Sequence, residues 1–278
     1  MNIFFFGGTS MAARDLINSL EKKYRTFIFS RKKNKKKNFY YFNLNKKNNL
    51  LFKKFKKGEN YLFFFSSFVP MKESQSTWER CSKTNIYGLI ELLKKTKFNI
   101  KKIILASSCS VYGSQNGSLT EKTFLKPDSN YALSKLAQEN IIRIFCLKNK
   151  IKFLCYRLGY VYGKEMSDKR LVKKIIMKNK KRKKVRIFNK NLNLNLVHTK
   201  DIRDSLMKTF KRANGFYNLS NTYQTKLGDF YNIVKDSNNL KKINLKKNNF
   251  SSKKLTKEYP SIKFLSLDEG IKEIKYGL

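Results

Sequence analysis

Tyr131 and Lys135 lie four residues apart in Tyr131-Ala132-Leu133-Ser134-Lys135, one turn apart on the same face of a helix. A free phenol titrates near ~10 and does not relay protons at neutral pH unaided. A neighbouring ammonium favours the phenolate and brings the tyrosine into range for acid–base work. Upstream, Ala106-Ser107-Ser108 closes an apolar run. A hydroxyl delivered from there, that of Ser108, can hold a substrate carbonyl or alcohol against the tyrosine. In so lysine-rich a chain the spacing alone also suits an ordinary surface turn, and the elements around it decide.

Residues 1–6 are apolar and break at Gly7-Gly8-Thr9-Ser10, after which residues 11–20 read as a helix. Strand, glycine turn and helix form the phosphate-cradling start of a dinucleotide fold. Residues 103–108 make another strand, ending in small polar residues and followed by Val111-Tyr112-Gly113. Further strands are expected at 26–30, 39–44, 61–65 and 151–157. The run at 61–65 is continuously apolar, as in a parallel strand covered on both faces. A helix is expected over 73–97 with nothing worse than Gly88 to interrupt it. Another over 130–150 carries Tyr131 and Lys135, with Asp128 or Ser129 as its cap. Beyond Gly163 the pattern loosens into helices at 171–178, 199–212, 227–236 and 267–274 and strands at 185–188 and 215–219. Strands alternating with helices imply an α/β, Rossmann-type, doubly wound parallel sheet with right-handed crossovers.

Several short motifs follow one another in a recognisable order. They are the Gly7 to Ala13 turn, Thr84-Asn85-Ile86-Tyr87-Gly88, Ser107-Ser108-Cys109-Ser110-Val111-Tyr112-Gly113, and Tyr131 with Lys135. Arg157-Leu158-Gly159-Tyr160-Val161-Tyr162-Gly163, Val197-His198-Thr199-Lys200-Asp201-Ile202 and Gly215-Phe216-Tyr217-Asn218-Leu219-Ser220 continue the series. On these residues the chain resembles the extended short-chain dehydrogenase/reductase family of nucleotide-sugar epimerases, dehydratases and reductases, over nearly its whole length. The resemblance implies a Rossmann domain over 1–163 and a small substrate-binding part over 164–278, with 197–220 packing back on the core. It implies NAD(P)-dependent redox chemistry at a sugar carbon of a nucleotide-activated sugar. Tyr131 would exchange the proton on the oxygen, Lys135 would lower its pKa and hold the cofactor ribose, and Ser108 would hydrogen-bond the same oxygen.

The family pattern assigns Gly7, Ser10, Met11, Ala12, Arg31, Ser66 and Asn85 to the cofactor, together with Tyr131 and Lys135. Ser10 and Ala13 replace two of its glycines, and Ser10 adds a side chain where the cofactor approaches. At the end of the second strand an acidic residue suits the ribose hydroxyls of NAD, and a basic one the 2′-phosphate of NADP. This chain has Ser30-Arg31-Lys32 there, so NADP is expected over NAD. Tyr160 stands where many relatives carry a substrate-side asparagine. Relatives that dehydrate sugars carry an Asp-Glu pair after the catalytic hydroxyl, and here Cys109-Ser110 follow Ser108. Epimerisation or simple redox is therefore expected, and 4,6-dehydration is not.

Composition sets the remaining bounds. A chain of 278 residues with 41% hydrophobic residues and 23 phenylalanines buries a large core. No apolar run approaches the ~18 residues of a membrane span, and the N-terminus enters a strand without a basic leader. A cytoplasmic protein with no membrane partner is expected. Cys81, Cys109, Cys146 and Cys155 show no paired or metal-binding spacing. The single histidine, His198, excludes a His-rich metal site and disfavours a Ser-His-Asp hydrolase. The net charge of +43 suggests a nucleic-acid partner at first sight. It is spread along the chain, however, and carried by 51 lysines against 11 arginines, whereas arginine is the better phosphate and base ligand. Residues encoded by A/T-rich codons abound, and drift in composition accounts for the charge without a specific nucleic acid. A second class stays open on the same observations: a family member without turnover, serving as a scaffold or binding nucleic acid. Relatives often pair through the helices corresponding to 73–97 and 130–150, which leaves room for a homodimer.

Overall fold

The apolar runs become strands of one parallel sheet in the computed structural model of the chain. It describes residues 1–32, 34–46, 58–70, 74–96, 99–183, 185–235, 246–247 and 249–277. Strand β1 (Asn2–Phe6) leads through a short 3-10 turn (Met11–Ala13) into α1 (Arg14–Glu21), β2 (Arg25–Ser30) and the edge strand β3 (Phe39–Tyr41). Then come β4 (Asn60–Phe64), α2 (Gln75–Cys81), α3 (Gly88–Lys95), β5 (Ile100–Ser108), α4 (Asn130–Lys148) and β6 (Lys152–Leu158). The chain continues with β7 (Tyr160–Tyr162), α5 (Leu171–Lys180), β8 (Asn193–Leu194), β9 (Leu196–His198), α6 (Thr199–Thr209) and β10 (Gly215–Leu219). It ends with β11 (Tyr223–Lys226), α7 (Leu227–Lys235), β12 (Lys246–Lys247), α8 (Lys253–Glu258) and α9 (Leu267–Tyr276).

The seven strands lie in the order β3-β2-β1-β4-β5-β6-β10, all parallel. The order reverses direction beside β1, which leaves a crevice at the strand ends there. Both faces of the sheet are covered. Ile3 and Phe5 pack with Leu16, Leu20, Ile202 and Leu206 of α1 and α6. Phe4 and Phe6 pack on the other side with Leu89, Leu92 and Ile142 of α3 and α4. Phe6 stacks on Phe29 at 4.5 Å between ring centroids, with planes 10° apart. Each fully buried phenylalanine contributes roughly 1.5–3 kcal/mol, so β1 is firmly anchored and the turn that follows it starts from a fixed strand end.

A smaller C-terminal layer is built from elements that follow β6 in the chain. Strands β7 and β9 pair in parallel, and β8, β11 and β12 form an antiparallel set. Val172, Ile175 and Ile176 of α5, Phe230 of α7 and Ile271 of α9 share one core. His198 lies fully buried at the start of α6. Its Nδ1 accepts from the Lys200 amide at 3.2 Å, while Asp201 accepts from the His198 amide at 3.2 Å. The one histidine is thus spent on closing a helix N-terminus.

Three expected elements differ. The helix expected over 73–97, whose two end residues lie outside the described ones, holds a wide π turn (Ser82–Tyr87) between α2 and α3. Gly88 does not break it. The helix passes so close to Leu44 that a Cβ on Gly88 would lie 2.7 Å from the Leu44 Cβ. Strand β3 stops at Tyr41, opposite Ser30, where its partner β2 ends. Residues 185–188 pair with no strand among the described residues; Val185 and Ile187 instead lie half-buried on the C-terminal core. Alternating residue types specify an extended backbone, but a strand also needs a neighbouring edge.

Candidate active site

A cavity of about 640 Å³ opens at the C-terminal ends of the parallel strands, within the range of small-molecule and cofactor sites. Its floor is the turn after β1. Gly7 has φ +96°, and a Cβ there would come within 2.6 Å of the Phe65 carbonyl carbon and 2.7 Å of the Ser66 nitrogen. Only glycine lets the chain leave β1 so close to the end of β4. Ser10 has φ −66°, a value that asks for no glycine, and its amide donates to the Gly7 carbonyl at 2.8 Å. Ser10, Met11 and Ala12 form the near wall, with Arg31 at the end of β2 and Ser66 just beyond β4.

Ser108, Tyr131 and Lys135 line the same cavity. Strand β5 runs extended to Ser108 (φ −142°, ψ 147°), whose hydroxyl caps the following turn by accepting from the Ser110 amide at 3.2 Å. The Ser110 hydroxyl donates to it as well, at 3.0 Å. Two donors on the Ser108 oxygen leave its own proton to be given away. Tyr131 sits in the first turn of α4, held there by Ser129, which accepts from the Ala132 amide at 3.2 Å as the helix cap. Burial pushes the Tyr131 phenol up to about 12, against the pull of the Ser108 hydroxyl and of the Arg170 charge.

Lys135 is almost wholly buried, and burial pushes its ammonium down to about 8. It donates to the Ala106 carbonyl at 2.6 Å, to Gln138 Oε1 at 2.6 Å and to the Ser67 hydroxyl at 3.1 Å. The ammonium is thus fastened to the ends of β5 and β4. That differs from the simple expectation of a lysine whose main effect is to lower the phenol: burial is the larger influence on Tyr131.

Asn85 is not brought to the cavity. It lies fully buried in the π turn, where its Oδ1 accepts from the Phe68 amide at 2.6 Å. Its Nδ2 donates to the Phe68 carbonyl at 3.0 Å and to the Ser134 hydroxyl at 2.9 Å. The Asn85 carbonyl accepts from Gln138 Nε2 at 2.9 Å. Asn85 therefore clips the segment after β4 to the helix that carries Tyr131 and reaches Lys135 through Gln138. A side chain drawn into the helix ladder accompanies the widened turn.

Sequence reasoning placed Ser67 with Ser66 after the fourth strand but did not single out Gln138, Ser110 or Arg170. Gln138 and Ser67 hold Lys135, Ser110 donates to Ser108, and Arg170 lines the same cavity as Tyr131. Gln138 carried a weak signal, since it lies seven residues after Tyr131 and so two turns along the same helix face. Glu139 and Arg157 carried none that separates them from other charges. They form a buried pair at 2.8 Å, with side chains 2% and 4% exposed. Ser107 Oγ donates to Glu139 at 2.5 Å, Arg157 donates to the Tyr112 hydroxyl at 2.8 Å, and Tyr112 donates to Asn218 Oδ1 at 2.8 Å. This network joins α4, β5, β6 and β10 directly behind Ser108 and Tyr131.

Among the described residues, no helix is long and apolar enough to cross a membrane. A model of the NAD dependent epimerase/dehydratase family matches residues 3–219. A Bacillus subtilis protein described as an uncharacterised UDP-glucose epimerase is 30% identical over 105 residues, 37% of this chain and 33% of that protein. The matched stretches span only 33% to 52% of the lengths of the three curated relatives compared. Solved structures match over more of the chain. The Thermotoga maritima UDP-glucose 4-epimerase with UDP-glucose superposes with a TM-score of 0.81 at 19% identity, over 98% of this chain and 96% of that one. The Bacillus anthracis dTDP-glucose 4,6-dehydratase with NAD does so with a TM-score of 0.78 at 18% identity, over 99% of this chain and 95% of that one. At these identities the likeness is one of fold.

Proposed function

The chain belongs to the NAD dependent epimerase/dehydratase family, and on that ground and its cavity we propose that it oxidises or reduces a sugar carbon of a nucleotide-activated sugar. The observation that carries this reading is one cavity lined by the glycine turn, Ser108, Tyr131 and Lys135 together. The residues fit a dinucleotide: a turn that only glycine can make opens onto a helix start, and the cavity follows the strand ends past a basic residue at β2. Gly7, Ser10, Met11, Ala12, Arg31 and Ser66 would hold it, with Tyr131 and Lys135 at its reactive end and Asn85 acting from behind the wall. Bound there, NAD(P) supplies the acceptor and donor of hydride.

In this proposal Tyr131 takes or returns the proton on the sugar oxygen, and Ser108 donates a hydrogen bond to that oxygen. Lys135, anchored by Ser67 and Gln138, keeps a positive charge beside the reacting groups and holds the cofactor ribose. Residues 1–163 bind the dinucleotide and 164–278 the sugar nucleotide, with 197–220 returned to the core. The test is incubation with NAD(P) and a panel of nucleotide sugars, following nicotinamide absorbance and epimer formation. Absence of both across the panel, with cofactor bound, would overturn the reading in favour of a protein without turnover.

The same proposal favours NADP over NAD. Arg31 lines the cavity at the end of β2 with no carboxylate beside it in the lining. Arg31→Ala is expected to weaken NADP(H) about tenfold, the lower end for a lost charged hydrogen bond because the residue is exposed, and to leave NAD(H) unchanged. Titration should be run at moderate salt, since so basic a surface attracts the extra phosphate non-specifically at low salt. Tighter binding of NAD(H) to the wild type would contradict the assignment.

Dehydration is not expected. Expelling a C6 hydroxyl needs an acid and a base near the sugar, a pair of groups with separated pKa values. Burial pushes the Cys109 thiol up to about 11, and Ser110 spends its hydroxyl on Ser108. Glu121 is engaged on the Asn218 amide at 2.7 Å. Glu165 is the one carboxylate among the cavity's described residues, and it pairs with Arg14. Incubation with nucleotide hexoses should therefore yield no 4-keto-6-deoxy product, and a product lighter by one water would refute this.

A further inference from the structure

The hydrogen bonds around Lys135 close into a ring of three side chains. Its ammonium donates to Gln138 Oε1 at 2.6 Å and to the Ser67 hydroxyl at 3.1 Å. That hydroxyl in turn donates to the same Gln138 oxygen at 3.3 Å. The ammonium also donates to the Ala106 carbonyl of β5 at 2.6 Å. An ammonium has three donors, and here the protein takes all three. Lys135 therefore reaches a hydroxyl of any ligand in the cavity only by giving up one of these partners.

The three partners are not equal. The bonds to Ala106 and Gln138 are short, as charge-assisted bonds are, and the bond to Ser67 is the longest. Ser67 lines the cavity, whereas Gln138 is fully buried on α4. The proton of Ser67 already rests on Gln138, so the lysine can leave Ser67 without stranding a buried donor. Both ends of the Gln138 amide are needed for this. Oε1 accepts from an ammonium, which only donates, and Nε2 donates to the Asn85 carbonyl, which only accepts, at 2.9 Å. The amide is thereby fixed in one orientation. The backbone beside Ser67 is fixed as well, where both polar groups of Phe68 bond to the Asn85 side chain.

We propose that Gln138 is a positioning residue and Ser67 a placeholder: Gln138 keeps its hold on the ammonium while Lys135 exchanges Ser67 for a hydroxyl of the bound dinucleotide. This deepens the function proposed above and rests on its dinucleotide part. The experiment is calorimetric titration of NAD⁺ and NADP⁺ into the wild type and three variants, with thermal unfolding as a check on folding. Ser67→Ala removes the placeholder and leaves one ammonium donor unpaired. It is expected to tighten the better-bound dinucleotide by about two- to tenfold, the worth of one hydrogen bond. Gln138→Leu should weaken it by about ten- to a hundredfold, because a bond to a charged group is lost. Gln138→Glu keeps the acceptor and loses the donor to Asn85, and should return the affinity to within about threefold of wild type.

Equal or weaker binding by Ser67→Ala would overturn the proposal, for Ser67 would then be idle or itself a ligand group. So would a folded Gln138→Glu that binds as poorly as Gln138→Leu, for then Gln138 acts only as a tie to Asn85. In both cases the dinucleotide reading survives. If the Gln138 variants do not fold, the sign of the Ser67→Ala change decides by itself. If the wild type binds neither NAD⁺ nor NADP⁺, the dinucleotide reading fails, and this proposal with it.

Discussion

Tyr131→Phe is expected to lower turnover of an identified substrate by about 10²–10⁴-fold, the usual worth of a positioned general acid–base group. Cofactor affinity should stay within about twofold, because the ring that fills the wall of the cavity remains and only the hydroxyl is lost. The comparison with Lys135→Ala makes the result specific. Lys135 ties the ends of β4 and β5 to α4 through Ser67, Ala106 and Gln138, so its removal should weaken cofactor binding and turnover together. Turnover of Tyr131→Phe at the wild-type rate would remove the tyrosine from the mechanism. The measurement is single-turnover kinetics with cofactor titration on both variants.

Glu139→Ala should destabilise the fold by about 3–5 kcal/mol, since it strands the Arg157 guanidinium in a site where its side chain is only 4% exposed. That is a large share of the ~5–15 kcal/mol that holds a typical domain together. The guanidinium would keep the Tyr112 hydroxyl at 2.8 Å, an acceptor without charge. Replacing both partners, as Glu139→Leu with Arg157→Met, should recover at least half of the loss, because a buried pair exchanged for apolar groups of similar size is often neutral. Denaturant unfolding of the single and double variants checks this. A single variant within about 1 kcal/mol of wild type would show that the network contributes little.

Both predictions act on the same few ångströms of structure. Glu139 lies four residues after Lys135 on α4, and Ser107, which donates to Glu139 at 2.5 Å, immediately precedes Ser108. One network thus sets where the Ser108 end of β5 lies against the Tyr131 end of α4. Polar groups so deeply buried tolerate few arrangements, and a site held by them is correspondingly rigid.

The sheet was legible in the chain because its determinants are local and repetitive. The continuous apolar runs at β1, β4 and β5 demand cover on both faces, the break at Gly7 demands a turn, and Ser129 stops the following helix from extending backwards. Motif order then placed Ser108, Tyr131 and Lys135, because spacing along a helix and position at a strand end are properties of sequence. What sequence could not set was any relation between side chains from distant elements. Residues 185–188 have a strand's alternation and no partner edge among the described residues, and the helix expected over 73–97 widens over Ser82–Tyr87, where Asn85 contacts Phe68, Ser134 and Gln138. The same holds for electrostatics. Four-residue spacing determined that Lys135 and Tyr131 share a face of α4, but burial, which only packing creates, pushes Tyr131 up to about 12 and Lys135 down to about 8. Sequence by itself determined the fold and brought Ser108, Tyr131 and Lys135 forward as candidates, and the structure places all three on one cavity. The tertiary structure alone decided that Asn85 lies buried behind the cavity wall and that Arg170 joins Tyr131 in its lining, because charge and hydrogen-bond partners are set by distances the chain acquires only on folding.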